Sequence, residues 1–237
     1  MSTIELPVLK SGAPASFTTG NMKLGWDVLS WSIPAARTCP GATSACLSSC
    51  YALQGHYVWP SVQESHQRNF VFSQTSEFVD WAIAAIRSSG LQKVRVHAAG
   101  DFYGTDYVQK WVRIIQANKR VTFWGYTRSW RMKSFVPDLR RLASQRNMHL
   151  WLSVDSFAKK PPRIPRTRLA FLARTDEEIA AGPRGTDLIF RNLTSTVIKN
   201  VDGVQVCPAE IGAITRRNGE PYHMTCSKCG ICFREGK

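Results

Sequence analysis

The sequence predicts an α/β protein: a partial (βα)6-type parallel barrel with a cysteine-rich C-terminal extension. Three observations predict it. Short strand-like runs alternate with amphipathic helical runs from Trp26 to Arg191, the pattern of right-handed βαβ units and a parallel sheet. Six strand candidates fall short of the eight of a complete barrel. The seven cysteines gather in the first and last thirds of the 237-residue chain. The expected division is residues 1–200 for the barrel with its N-terminal cysteines, and 201–237 for a metal-binding extension packed on it.

Taken in order, Trp26 to Ile33 (WDVLSWSI) reads as the first strand, with a cysteine-rich stretch after it. Phe78, Val79, Ala82, Ile83 and Ile86 recur at helical spacing within Ser73 to Ser88, and Gly90 stands where a helix stop belongs. Lys93 to Ala98 alternates with period two and predicts a strand. Thr105 is the expected N-cap of the next helix, whose buried face would be Tyr107, Val108, Trp111, Val112 and Ile115. Val121 to Tyr126 predicts a strand, Pro137 to Gln145 a helix and His149 to Val154 another strand. Lys159 to Pro165 (KKPPRIP) reads as an extended loop, and Leu169 to Ala173 as the fifth strand. Thr175 and Glu178 form an expected capping box for a helix ending at Gly182. Asp187 to Arg191 completes the set, and Arg216 to Glu220 (RRNGE) reads as a turn at a hairpin tip.

Composition narrows the class. With 43% hydrophobic residues the chain can bury a full core, and no apolar run reaches the length of a membrane span. The first residues lack a basic segment leading into an apolar block, so the expected location is cytoplasmic, where cysteines serve as thiolates rather than in disulfides. The formal net charge is +14. Residues 128–174 hold twelve Lys and Arg against two Asp, a local excess suited to a polyanion such as nucleic acid. Arg140, Arg141, Lys159 and Lys160 are its candidate contacts; the plainer reading is a solubilising surface.

The chemistry sits in the cysteines. Cys226, Cys229 and Cys232 stand at two-residue gaps, and Cys207, followed by Pro208, lies upstream. Closely spaced thiolates with one remote partner fit the corners of a [4Fe–4S] cluster; a four-cysteine zinc site competes. Cys39, Cys46 and Cys50 form a second group, separated by six and three residues. Three thiolates leave one iron of a cubane open to a small ligand, so this trio is the expected reactive site. Zinc completed by His56, or plain buried thiols, are its alternatives. The trio follows the first strand, where parallel sheets place their ligands.

Other strand-end residues join the candidates. His97, Gly100 and Asp101 follow one strand, while Tyr126, Arg128 and Trp130 follow the next in an aromatic–arginine–aromatic run that could stack on a base. Asp155, ending another strand, is either a pocket acid or the ion-pair partner of an arginine. The sequence has no P-loop, nucleophile elbow or dinucleotide glycine fingerprint, so nothing in it supports an NTPase, hydrolase or dehydrogenase.

The runs CPGATSACLSSCYA (from Cys39), VRVHAAGDFYGTDYVQKW (from Val94) and FWGYTRSW (from Phe123) resemble a phage and plasmid protein family of the "gene product eighty-eight" type, over residues 30 to 130 plus the terminal cysteines. More distantly, the layout is similar to the radical S-adenosylmethionine (SAM) enzymes. That resemblance implies a partial barrel with a [4Fe–4S] cluster on Cys39, Cys46 and Cys50, and SAM contacted by the Ala98–Asp101 run, with Gly100, Asp101, His97, Tyr126 and Arg128 around the cofactor. The departures are concrete: the superfamily spaces its cysteines by three and two residues, and its glycine-glycine-glutamate motif is alanine-glycine-aspartate here. The expected protein binds one or two clusters and is either a cluster-dependent enzyme acting on nucleic acid, or a non-catalytic iron–sulfur or zinc protein that binds nucleic acid or senses redox state.

Overall fold

A computed structural model of the chain describes residues 14–158, 160–180, 185–191, 200–201, 203–208, 214–215, 221–222 and 224–234. The strands are β1 (Thr18–Thr19), β2 (Leu29–Trp31), β3 (Lys93–Val96), β4 (Thr122–Thr127), β5 (Met148–Val154), β6 (Thr167–Ala173), β7 (Leu188–Arg191), β8 (Asn200–Val201), β9 (Val204–Val206), β10 (Ile214–Thr215) and β11 (Pro221–Tyr222). The helices are α1 (Ser44–Ser48), α2 (Pro60–Ser73), α3 (Phe78–Ser89), α4 (Thr105–Ala117), α5 (Val136–Ala143), α6 (Asp176–Ala180) and α7 (Cys226–Cys229).

The fold is mixed α/β. Nine strands form one sheet in the order β1-β2-β3-β4-β5-β6-β7-β9-β8, with β10 and β11 paired apart. Every neighbour pair from β2 to β9 is parallel; only the outer pairs, β1 with β2 and β8 with β9, are antiparallel. From β2 to β7 the spatial order follows the chain order, so successive right-handed crossovers fall on the same face of the sheet. Among the described residues no helix is long and apolar enough to cross a membrane.

Period-two alternation divides each strand between two environments. Val94 and Val96 of β3, Phe123 of β4, and Met148, Leu150, Leu152 and Val154 of β5 pack with α3, α4 and α5 through Phe78, Ile86, Trp111, Ile115, Leu139 and Leu142. The alternate positions Trp124, Trp151, Ala170 and Leu188 face a separate cluster with Cys207, Cys232, Ile231 and Phe233. One face is therefore a standard helix-covered core, and the other is filled by the end of the chain.

The predicted elements differ from the observed ones in instructive places. The first strand is shorter than Trp26 to Ile33, and Trp26 is exposed. Thr105 is not the N-cap of α4 but its first residue: Gly104 holds the cap position and no side chain caps the helix. Gly90 ends α3 in the left-handed conformation expected of a stop, with φ 68°. Half of the capping box forms: Thr175 Oγ1 accepts the Glu178 N–H at 3.1 Å, but Glu178 turns to the Arg174 N–H and guanidinium. The expected helix end at Gly182 and the Arg216–Glu220 turn lie outside the described residues, although β10 and β11, on either side of that turn, pair antiparallel.

Helix α2 has no counterpart in the sequence reading, because its buried face is polar. His66, Asn69 and Ser73 point inward. The Asn69 amide donates to the carbonyls of Ser16 (3.0 Å) and Ser32 (2.9 Å) and accepts the Ser16 N–H, joining the segment before β1 to the end of β2. A helix held by hydrogen bonds leaves no apolar stripe to read.

Candidate metal centre

Both cysteine groups meet at one cavity of about 310 Å³. Its wall takes residues from the carboxyl ends of β3, β4, β5 and β7, from the loop after β2 and from the C-terminal turn. Cys39, Cys46 and Cys50 line it, as do Cys207, Cys226 and Cys232. Cys229 does not, although it belongs to the same short helix as Cys226.

The trio loop is held from the strand ends. Thr43 caps α1 by accepting the Cys46 N–H at 3.0 Å, and its own hydroxyl donates to the Asp155 carboxylate at the end of β5. Asp155 also pairs with Arg128 Nη1 at 2.6 Å in a fully buried ion pair, so one acid ties the α1 cap to the loop after β4. Arg131 adds bonds to the carbonyls of Gly41 (2.8 Å) and Ala42 (3.0 Å). Gly41 passes so close to the Arg128 carbonyl that a Cβ would overlap it, which only glycine avoids. The Tyr51 hydroxyl, just past Cys50, donates to the Ala98 carbonyl.

The strand-end motifs take distinct places. Gly100 and Asp101 line the cavity beside the trio, and Gly100 adopts φ 84° against Ile33 and Thr38, where a Cβ would overlap the isoleucine. Asp101 Oδ1 accepts the Phe102 N–H and Oδ2 the Arg128 N–H, each at 2.7 Å. Burial pushes its carboxyl up to about 6, against the lowering pull of those bonds and of Thr127 and Ser129. His97 borders the cavity, but its ring packs on Phe102, Tyr107 and Trp111, and Nε2 meets the Tyr107 hydroxyl at 2.9 Å. It holds φ 62°, an uncommon conformation for a residue with a side chain. Tyr126 and Arg128 line the cavity, whereas Trp130 turns away into the helix-side core and donates to the Ser153 carbonyl.

The C-terminal turn is held from the sheet face opposite the helices. Trp151 Nε1 donates to the Cys232 carbonyl at 2.8 Å. Arg168 stacks on the Trp151 ring at 4.0 Å and donates to the carbonyls of Ile231 and Cys232 at 2.9 Å. Lys93 reaches Ser227 and Asp27, and the N–H groups of Cys226 and Ser227 bond to the carbonyls of Lys23 and Leu24. The Tyr126 hydroxyl donates to Cys232 Sγ at 2.7 Å.

Burial pushes the Cys39 thiol up to about 12, with the Asp101 charge adding to it, and the Cys232 thiol up to about 11. Cys46 is raised as well, chiefly by burial. Without a metal these groups are neutral thiols, and any metal bound here displaces their protons. Among the described residues no group of three or more His, Cys, Asp or Glu side chains is arranged to hold a single metal ion. His56 is exposed beside Trp59 and is not part of the cavity wall.

The sequence model of the Gene product 88 family matches residues 9–235. The chain belongs to that family. The Gene 88 protein of Mycobacterium phage L5 is 26% identical over 208 residues, 82% of this chain and 77% of the phage protein. The Gene 88 protein of Mycobacterium phage D29 is 28% identical over 102 residues, 38% of this chain and 42% of its own length. No solved structure matches the chain.

For this family member, the basic run in the sequence does not fold into one band. Arg128 is buried on Asp155, Arg168 lies within the sheet's inner face, and Arg174 pairs with Glu178 at 2.6 Å. Arg140 and Arg141 are exposed on α5 and Lys160 is exposed after β5, while Lys159 lies outside the described residues. Sequence reading passed over Arg95, which also lines the cavity. The signal was present: in the alternating run Lys93 to Ala98, Arg95 stands between Val94 and Val96 and so must face the opposite side from the helix-covered core. Thr43, Trp151 and Arg168 carried no such signal, because their roles depend on partners distant in sequence.

Proposed function

We propose that this chain is an iron–sulfur protein whose Cys39, Cys46 and Cys50 hold a [4Fe–4S] cluster with one iron open to a small ligand in the cavity. The single observation that carries the reading is the meeting of six of the seven cysteines at one cavity wall. The donor set fits the group. A cluster takes one thiolate at each iron, so its ligands surround a body instead of converging on a point. The trio belongs to one loop clamped at the cavity wall, with no histidine of that loop facing it.

Cys207, Cys226, Cys229 and Cys232 would hold a second, more structural cluster, in a C-terminal extension lying within the concave side of a partial barrel. The strand order and the plugged inner face support that geometry. A bound cluster would supply one-electron chemistry at the cavity wall. The protein's own residues clamp the loop at the wall and leave Gly100 along it for a ligand. An open cavity beside the trio favours a cluster-dependent enzyme over a purely structural protein. SAM is the first ligand to test, although both Asp101 oxygens are engaged by backbone N–H groups, unlike an acid free to take an amino group. Nucleic acid as substrate rests on the +14 charge alone, with the exposed Arg140, Arg141 and Lys160 as contacts.

The test is EPR of the reduced, anaerobically prepared protein. SAM or cyanide should perturb the signal of one cluster, and Cys46→Ala should remove that cluster while leaving the other. A signal that no small ligand perturbs, in protein retaining both clusters, would leave the trio without an open iron.

A further inference from the structure

We propose that the cavity takes a small organic anion, a carboxylate or phosphate on a flat apolar body, and that Arg95 is its anchor. The inference deepens the function proposed above by naming the ligand class of the same cavity. It uses the cavity's geometry and does not require the cluster.

Arg95 is a permanent cation on the inner face of β3. Its guanidinium lies over the Tyr126 ring, 4.3 Å from the centroid, and Nε donates to the His97 carbonyl at 3.2 Å. These contacts engage one face of the guanidinium and Nε, and among the described residues neither terminal nitrogen has a hydrogen-bond partner. Among the described residues no carboxylate pairs with it. The contrast with Arg128 is direct, since Arg128 lines the same cavity and has Asp155 at 2.6 Å. Asp101, the acid in the wall, already spends both oxygens on the N–H groups of Phe102 and Arg128.

A half-buried guanidinium with no anion is an incomplete arrangement, because removal from water without a partner is unfavourable. Its planar fork matches a carboxylate or a phosphate. The rest of the wall offers apolar surface to the body of such a ligand: Phe190, Ala170 and Leu172 from the strands, and Tyr57 and Ala52 from the loop. Lys23 also lines the wall, 5.7 Å from the Tyr51 ring. The competing use of Arg95 is as counter-charge to the thiolates of Cys226 and Cys232, and the experiment separates the two.

Benzoate and phenyl phosphate serve as probes of the two anion types, with benzamide as the neutral control. Binding is read by tryptophan fluorescence and thermal shift, alongside iron content, in full-length wild type, Arg95→Gln, Arg95→Lys and the surface control Arg120→Gln, an exposed arginine given no role above. At least one anion should bind saturably and benzamide should not. Arg95→Gln should weaken binding at least tenfold, Arg95→Lys should retain part of it, and Arg120→Gln should change nothing. Should Arg95→Gln fail to fold, the comparison of Arg95→Lys with wild type carries the test. Equal binding by wild type and Arg95 variants, or no anion binding at all, would overturn the proposal. Loss of iron together with anion binding in Arg95→Gln would assign the residue to the cluster and overturn it too. Anion binding that depends on Arg95 in a protein holding no iron would uphold it and refute the cluster instead.

Discussion

The two cysteine segments reach the same cavity by opposite routes. Cys39 to Cys50 forms a loop above the sheet, fixed by polar groups at strand ends: Asp155, Arg128, Arg131 and the Ala98 carbonyl. The Cys226–Cys232 turn lies against the sheet face opposite the helices, packed on Trp124 and Trp151 and tied by Arg168 and Lys93. Both use the same local device, a threonine capping a short cysteine-bearing helix, Thr43 for α1 and Thr225 for α7. The difference teaches that the trio is preorganised by a charge network and the C-terminal turn by core packing. A change that harms one should spare the other.

The largest expected effect breaks the charge network. Asp155→Ala leaves Arg128 buried without a partner and removes the acceptor of the Thr43 hydroxyl, at a cost of about 3–5 kcal/mol. Urea unfolding should register this loss, and adding Arg128→Met should recover much of it. On the other side, Trp151→Phe deletes the donor to the Cys232 carbonyl and part of the inner packing. Its cost should be about 1–3 kcal/mol by the same measurement, with the C-terminal turn opening first in hydrogen exchange.

Smaller effects sharpen the contrast. Thr43→Ala should cost about 1–2 kcal/mol, because a cap and a bond to a buried acid are lost together. Thr225→Ala, whose cap bond to the Lys228 N–H is 3.4 Å, should cost about 0.5 kcal/mol. Equal losses would mean that the two turns are held alike. Mild acid is the gentlest probe. Burial lowers His66 from 6.5 to about 4; it lowers His97 to about 3, with the Arg95 charge adding to the effect. The unfolded chain therefore takes up these protons first, and stability falls as pH drops below 6.5 towards those values. Between pH 7 and 6 the loss is about 0.7 kcal/mol for each ring, and His66→Gln should remove its share. His66 packs 5.9 Å from Tyr57 in the cavity wall, so acid should loosen the trio side before the C-terminal turn.

Much of this was legible in the chain because it rests on periodicity. The alternation in β3 and β5 and the helical spacing in α3 and α4 mark the parallel order and the helix-covered core. Helix α2 was not legible, since Asn69 and His66 replace an apolar stripe. The inner face was half legible. Cysteine spacing marks two groups, but nothing local states that Trp151 and Arg168 would hold a turn some 60 to 80 residues later, at the carbonyls of Ile231 and Cys232. The basic run misleads for the same reason: sequence crowding of Arg128, Arg168 and Arg174 hides three separate burial environments.

The claim that both routes end at cluster ligands is tested most directly by quantifying iron, acid-labile sulfide and zinc in protein purified anaerobically from iron-supplied cells. Iron and sulfide are expected in equal amounts, with Cys46→Ala and Cys232→Ala each removing a share and the double variant removing nearly all. Stoichiometric zinc without iron or sulfide would contradict it.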